Sequence, residues 1–129
     1  MKTQVMLFVR DVEASSKWYQ SSLGAKSGHG GPDYEMVLGP DGELLFQLHH
    51  LDGEEHDVQL VDDKSTRGAG VLCYVNVDDV CAVFETARLM GAAIRNTPSF
   101  VELAGHTEFI VDDPDGYSLA VYTRGNHVN

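Results

Sequence analysis

The chain has 129 residues, of which 43% are hydrophobic and 22% charged, and its formal net charge is −11 at pH 7. This size and composition are typical of one globular domain that buries a core without needing disulfides or a structural metal. The negative charge argues against nucleic acids and anionic membranes as partners, and no apolar run is long enough for a membrane span.

The first half is predicted to form a strand, a helix and three more strands. Residues 4–9 alternate in the manner of a strand, and acidic residues follow at once, so this segment is not predicted to be a signal peptide. Asp11 is the expected N-cap of a helix over 12–23 that ends at Gly24. The remaining strands are predicted near 25–29, 34–38 and 43–50, with turns at Gly30–Pro32 and Gly39–Gly42.

The second half repeats this order after a polar, acidic stretch over 51–69, which we interpret as a linker. Asp79 is the expected N-cap of a second helix over 80–90, which Gly91 ends. Strands are predicted at 71–77 and near 92–96, 106–112 and 117–123, with a turn at Pro114–Gly116 and a tail over 125–129.

Three matching pairs, in the same order in both halves, support an internal repeat. Asp11-Val12 matches Asp79-Val80, and Leu23-Gly24 matches Met90-Gly91. Pro40-Asp41-Gly42 matches Pro114-Asp115-Gly116. We therefore predict an α+β fold of two tandem βαβββ modules, 1–50 and 70–124, with a cleft between them.

Strand alternation divides the side chains between a core face and a cleft face. The predicted core consists of Val5, Leu7, Val9, Leu44, Phe46, Leu48, Val71, Cys73, Val75, Val77, Phe109, Val111, Leu119 and Val121, with Val80, Val83, Ala87 and Met90 on the second helix. The predicted ligand-binding residues on the cleft face are Gln4, Phe8, Gln47, His49, Leu72, Tyr74, His106, Glu108, Ala120 and Tyr122.

The chain resembles the vicinal oxygen chelate superfamily, which includes glyoxalase I, bleomycin-resistance proteins and extradiol dioxygenases. The resemblance rests on Asp11, Ser15, Trp18-Tyr19 and Leu23-Gly24, and on Asp112–Tyr117, which is similar to the family's turn before the last strand. It implies an open, U-shaped mixed sheet around a cleft, helices on the outside, and a homodimer.

The resemblance also indicates where a metal would bind. Metal-dependent members place their ligands at positions that match Gln4, Gln47, Leu72 and Ala120. Two amides and two apolar side chains are poor ligands for a catalytic divalent ion, which prefers imidazole or carboxylate. We therefore expect no metal or other cofactor. An off-pattern metal site using His49, His106 or Glu108 is the alternative.

Two further patterns bear on chemistry. His106 and Glu108 are two residues apart on one strand face, so they form either an acid/base pair or a solvated strand end. Cys73 and Cys81 lack the spacing of a metal site and are expected to be buried free thiols in a reducing cytoplasm.

These observations favour a binding protein most similar to the metal-free bleomycin-resistance proteins. The expected ligand is a small aromatic or cationic molecule, and sequestration of an antibiotic or toxin is the expected role. The alternatives are a metal-dependent lyase or dioxygenase with displaced ligands, a metal-free acid/base enzyme, and an interaction module without a small-molecule role.

Overall fold

A computed structural model describes residues 1–51 and 67–128. The chain divides into two compact units, Met1–Arg67 (unit 1) and Gly68–Asn129 (unit 2). Most of the predicted linker over 51–69 lies outside the described residues, so the module boundaries stay predictions. No helix in the described part of the chain is both long and apolar enough to span a membrane.

Unit 1 contains one helix packed on a four-stranded mixed sheet. Strand β1 pairs in parallel with β4, and the other neighbours are antiparallel, in the order β1-β4-β3-β2. The helix contacts β3 and β4. The elements are β1 (Met6–Val9), α1 (Val12–Leu23), β2 (Lys26–Ser27), β3 (Tyr34–Leu38) and β4 (Leu44–His50).

Unit 2 repeats this topology and adds one short strand. Its sheet has the order β5-β9-β8-β6, with β5 parallel to β9 and the other neighbours antiparallel. The extra strand β7 pairs with β8 and was not predicted. The elements are β5 (Leu72–Asn76), α2 (Val80–Leu89), β6 (Ala93–Ile94), β7 (Ser99–Val101), β8 (His106–Asp112) and β9 (Ser118–Arg124). The predicted α+β fold with two tandem modules is confirmed.

Both helices begin as predicted. The Asp11 side chain accepts a hydrogen bond from the Ala14 amide at 2.9 Å, and Asp79 accepts one from the Ala82 amide at 3.1 Å. Each bond satisfies a backbone donor that has no partner within the first helical turn. Gly24 ends α1 with φ of 69°, a left-handed conformation that glycine adopts without strain. Helix α2 ends one residue earlier than predicted, with Met90 as its C-cap.

The core of unit 1 lies between α1 and the inner sheet face. Tyr19 is fully buried and its ring lies 5.6 Å from that of Phe46. The predicted core residues Leu7, Val9, Phe46 and Leu48 are buried. Val5 and Leu44 are exposed instead, because Val5 precedes β1 and Leu44 opens β4, where the helix does not cover the strand ends.

The core of unit 2 is centred on β8 and β9. Phe109, Leu119 and Val121 are fully buried, and the Phe109 ring contacts that of Phe84 edge-on at 5.3 Å. Several predicted core positions are wrong. Val71 and Met90, which lie beyond the ends of β5 and α2, are exposed, and Cys73, Val77 and Val83 are only partly buried. Cys81, which was expected to be a buried thiol, is exposed on α2.

A buried carboxylate ties the parts of unit 1 together. Glu35 is 3% exposed, and its two oxygens accept hydrogen bonds from five groups. The donors are the Ser16 and Ser27 hydroxyls and the backbone amides of His29, Gly30 and Met36. Burial raises the pKa of Glu35, but the hydrogen bonds, led by that of Ser27, outweigh it and lower the pKa to about 2. Glu35 is therefore ionised in the folded protein and links α1, β2 and the following turn.

Candidate functional site

Strands β5, β8 and β9 bring four predicted site residues together in unit 2. Glu108 lies directly opposite Tyr122 in the β8–β9 ladder, and Tyr74 lies opposite Ala120 in the β5–β9 ladder. We call the group formed by Tyr74, His106, Glu108 and Tyr122 the tyrosine–histidine cluster. Its members share one sheet face because residues two apart on a strand point to the same side.

The turn between β8 and β9 sets this register. The Asp113 side chain accepts hydrogen bonds from the backbone amides of Asp115 and Tyr117, both at 2.9 Å. Gly116 has φ of 96°, which a residue with a side chain rarely adopts. The turn at Asp113–Tyr117 thereby positions Glu108 against Tyr122 several residues away.

Three rings of the cluster contact one another. The His106 ring lies 4.6 Å from the Tyr122 ring at an interplanar angle of 33°. The Tyr74 ring lies 5.8 Å from Tyr122 and 5.9 Å from His106, at angles of 72° and 59°. Tyr74 is 55% exposed, so the cluster presents aromatic surface to solvent. Such surface suits planar or cationic groups.

His106 and Glu108 form the polar part of the cluster. The imidazole Nε2 lies 2.7 Å from a Glu108 carboxylate oxygen, and the two side chains are 10% and 12% exposed. The interpretation of His106 and Glu108 as a solvated strand end is therefore wrong, and the two residues form a hydrogen-bonded pair. When Nε2 carries the proton it donates to the carboxylate, which leaves Nδ1 as an acceptor or base.

The other two predicted site residues of unit 2 differ in accessibility. Leu72 is 40% exposed, whereas Ala120 is fully buried and has no accessible surface for a ligand to contact. Ser118, beside Leu72 in the ladder, donates to Asp112, which also pairs with Arg95. Burial raises the pKa of Asp112, but its bonds to Arg95 and Ser118 lower it below the usual value.

Unit 1 carries the equivalent positions on its own sheet. The Phe8 and His49 rings lie 5.4 Å apart, and His49 is 5% exposed. Gln47 accepts a hydrogen bond of 2.6 Å from the Tyr34 hydroxyl. Gln4 precedes β1 and is exposed. Tyr34 was not among the predicted site residues, although its place opposite His49 in the β3–β4 ladder follows from the same alternation.

The residues at the family's ligand positions do not fit a catalytic metal. Gln47 already uses its amide oxygen to accept from Tyr34, and Leu72 and Ala120 have no donor atom. Among the described residues, no group of three or more His, Cys, Asp or Glu side chains could hold a metal ion.

The two units therefore share a strand order in which one outer strand runs parallel to its neighbour, and each presents a polar and aromatic sheet face. A family model described as the glyoxalase/bleomycin resistance protein/dioxygenase superfamily matches residues 3–121. The chain belongs to this superfamily. Among curated proteins, the comparison finds no significant match.

Several solved structures share the fold. A glyoxalase/bleomycin resistance protein/dioxygenase from Nocardioides is 19% identical with a TM-score of 0.75, covering 100% of this chain and 86% of its own. A glyoxalase-related enzyme from Fulvimarina pelagi is 19% identical with a TM-score of 0.77, covering 96% and 88%. TioX from Micromonospora sp. ML1 is 16% identical with a TM-score of 0.71, covering 100% of both chains. At these identities the likeness shows the fold alone.

Proposed function

We propose that unit 2 binds a small aromatic or cationic molecule on the sheet face that carries the tyrosine–histidine cluster. The observation that carries this proposal is the grouping of three rings, with centroids 4.6 to 5.9 Å apart, beside a carboxylate. Ring faces attract stacked aromatic groups and cations. The mutual hydrogen bond of His106 and Glu108 would orient a polar group of the ligand.

The role we propose for binding is sequestration, most similar to that of the bleomycin-resistance members of the superfamily. The chain offers amides and apolar side chains where metal-dependent relatives hold their ion, which supports binding without metal chemistry. We also propose a reducing compartment such as the cytoplasm, because Cys73 and Cys81 are free thiols.

A titration with a panel of aromatic and cationic compounds tests the proposal. Compounds that bind should perturb the NMR signals of Tyr74, His106 and Tyr122. Tyr122→Ala should lower the affinity for these compounds about fivefold or more, the scale of one aromatic contact. Phe100→Ala is the matched control, because Phe100 is an exposed ring on the opposite face of the β7–β8 ladder. Equal affinity of wild type and Tyr122→Ala for every bound compound would refute the site.

A metal-free acid/base enzyme is the second candidate, and the bond between His106 and Glu108 favours it. A carboxylate that holds an imidazole in one orientation is a common arrangement for proton transfer. The two candidates differ in the fate of the ligand. Sequestration predicts that a bound compound is recovered unchanged from deuterated water. Proton transfer predicts that the wild-type protein incorporates deuterium into the compound and that the His106→Gln variant does not.

The homodimer is also part of this proposal. In the described part of the chain, β5 pairs only with β9 and β1 only with β4, so each sheet has an outer edge. Soluble proteins usually pair or cover such edges, and two-fold dimers are the commonest assembly. Light scattering at micromolar concentration should give twice the chain mass of 14.1 kDa. The mass of a single chain would contradict the dimer.

A further inference from the structure

Two tyrosine rings and a carboxylate in unit 2 together define a class of ligand. We propose that the tyrosine–histidine cluster binds an alkylated ammonium group, in which the methyl groups contact Tyr74 and Tyr122 and the positive charge faces Glu108. This inference rests on the proposed function and narrows it from aromatic or cationic molecules to one kind of cation.

The arrangement of the rings is the first argument. The planes of Tyr74 and Tyr122 meet at 72° with centroids 5.8 Å apart, so they form two walls of a corner. The His106 ring lies against Tyr122 at 4.6 Å, tilted by 33°, and supports that wall. A rounded cation in the corner can contact two ring faces, each of which carries negative electrostatic potential. A flat aromatic ligand could stack on only one of them.

The charge of Glu108 is the second argument. Its side chain is 12% exposed, and in the described residues the His106 imidazole is its sole side-chain partner. A carboxylate this far removed from water is stabilised by a nearby positive charge. Arg124 lies opposite His106 in the β8–β9 ladder, but its exposed guanidinium makes no ion pair in the described part of the chain. Glu108 therefore remains available to a cationic ligand.

The cost of removing water from the cation is the third argument. A primary ammonium is strongly hydrated and carries three donors that need acceptors when water is removed. A guanidinium carries five donors. The faces of the two tyrosine rings offer such donors no acceptor atom, and one oxygen of the Glu108 carboxylate is already bonded to His106. An alkylated ammonium needs few or no hydrogen bonds and loses little on leaving water, so it matches this surface best.

A matched pair of probes tests the charge directly. Choline and 3,3-dimethylbutan-1-ol have the same shape, but the second replaces the quaternary nitrogen with carbon. In NMR titrations of the full chain, choline should bind about tenfold more tightly than the neutral alcohol. Glu108→Gln should remove most of this preference while leaving the affinity for the alcohol unchanged. Retained binding of the alcohol also shows that the variant is folded.

Further variants separate the contributions of ring and charge. Tyr122→Phe keeps the ring and should retain choline binding within about twofold, whereas Tyr122→Leu should lose most of it. Glu102→Gln, an exposed acidic residue in the turn after β7, is the control and should bind choline like wild type.

The outcomes distinguish this inference from the proposed function. If the alcohol binds as tightly as choline and its binding depends on Tyr122, the inference of a cationic ligand is overturned and a site for neutral ligands remains. If neither probe binds, the inference of a cationic ligand is overturned as well. If, in addition, no compound of the aromatic and cationic panel bound, the proposed function would also be overturned.

Discussion

Glu35→Gln should lower the free energy of unfolding at pH 7 by about 3 kcal/mol, the value that corresponds to a pKa lowered from 4.5 to about 2. The five groups around the carboxylate are all donors. A glutamine amide would turn a nitrogen with two hydrogens towards some of them and leave buried donors unsatisfied. Urea unfolding of both proteins at pH 7 measures this difference.

The effect of Glu35 should also depend on pH in one direction. Because its pKa is lower in the folded protein, the unfolded chain takes up the proton first as the pH falls. The stabilisation is complete above about pH 5 and is lost progressively as the pH falls towards 2. Wild type and Glu35→Gln should therefore converge in acid. A constant difference in unfolding free energy from pH 7 to pH 3 would contradict this account, and the exposed Glu102→Gln should follow wild type throughout.

The helices were predictable from the sequence because their signals are local. Asp11 and Asp79 accept bonds from amides three residues ahead, so the cap and its partners lie within one short segment. The repeat was predictable for the same reason, since each module carries the same cap and turn residues in the same order. Only the last residue of α2 differs from the prediction.

The strand ends were less predictable, because burial there depends on neighbours that alternation does not reveal. Val71 has the residue type of a core position but precedes the outer strand β5, and it is 55% exposed. Strand β7, at Ser99–Val101, has three residues and exists through its pairing with β8. No periodic pattern of that length can be distinguished from a loop.

The shared sheet face of the four cluster residues was predicted from the sequence, but the contacts among their side chains were not. Alternation placed Tyr74, His106, Glu108 and Tyr122 on one face, and the structure brings their side chains together. The bond between His106 and Glu108 needed side-chain geometry to establish. Glu35 was missed because its donors come from the helix, two strands and a turn, which no single stretch of sequence displays.

Val121→Asp should cost most or all of the stability of the protein. Val121 is fully buried on β9, between Val75 on one side and Phe109 on the other. A carboxylate there would lose its water without gaining a partner, a cost of several kcal/mol, which is comparable to the whole stability of a small domain, about 5–15 kcal/mol. Val121→Ala removes two methyl groups and should cost about 2 kcal/mol, so the position can be measured even if the aspartate variant does not fold.

The neighbouring Tyr122 should behave in the opposite way, because its side chain points to the other face of the same strand. Tyr122→Ala removes a partly exposed ring and should change the melting temperature less than Val121→Ala does, while it abolishes most of the ligand binding. The comparison of adjacent residues tests the register of β9, since a shift of one residue would exchange their environments. A Tyr122→Ala protein that unfolds, beside a Val121→Asp protein that stays folded and monodisperse, would show that the two faces are assigned the wrong way round. The tyrosine–histidine cluster would then lie in the core of unit 2, where it could bind no ligand.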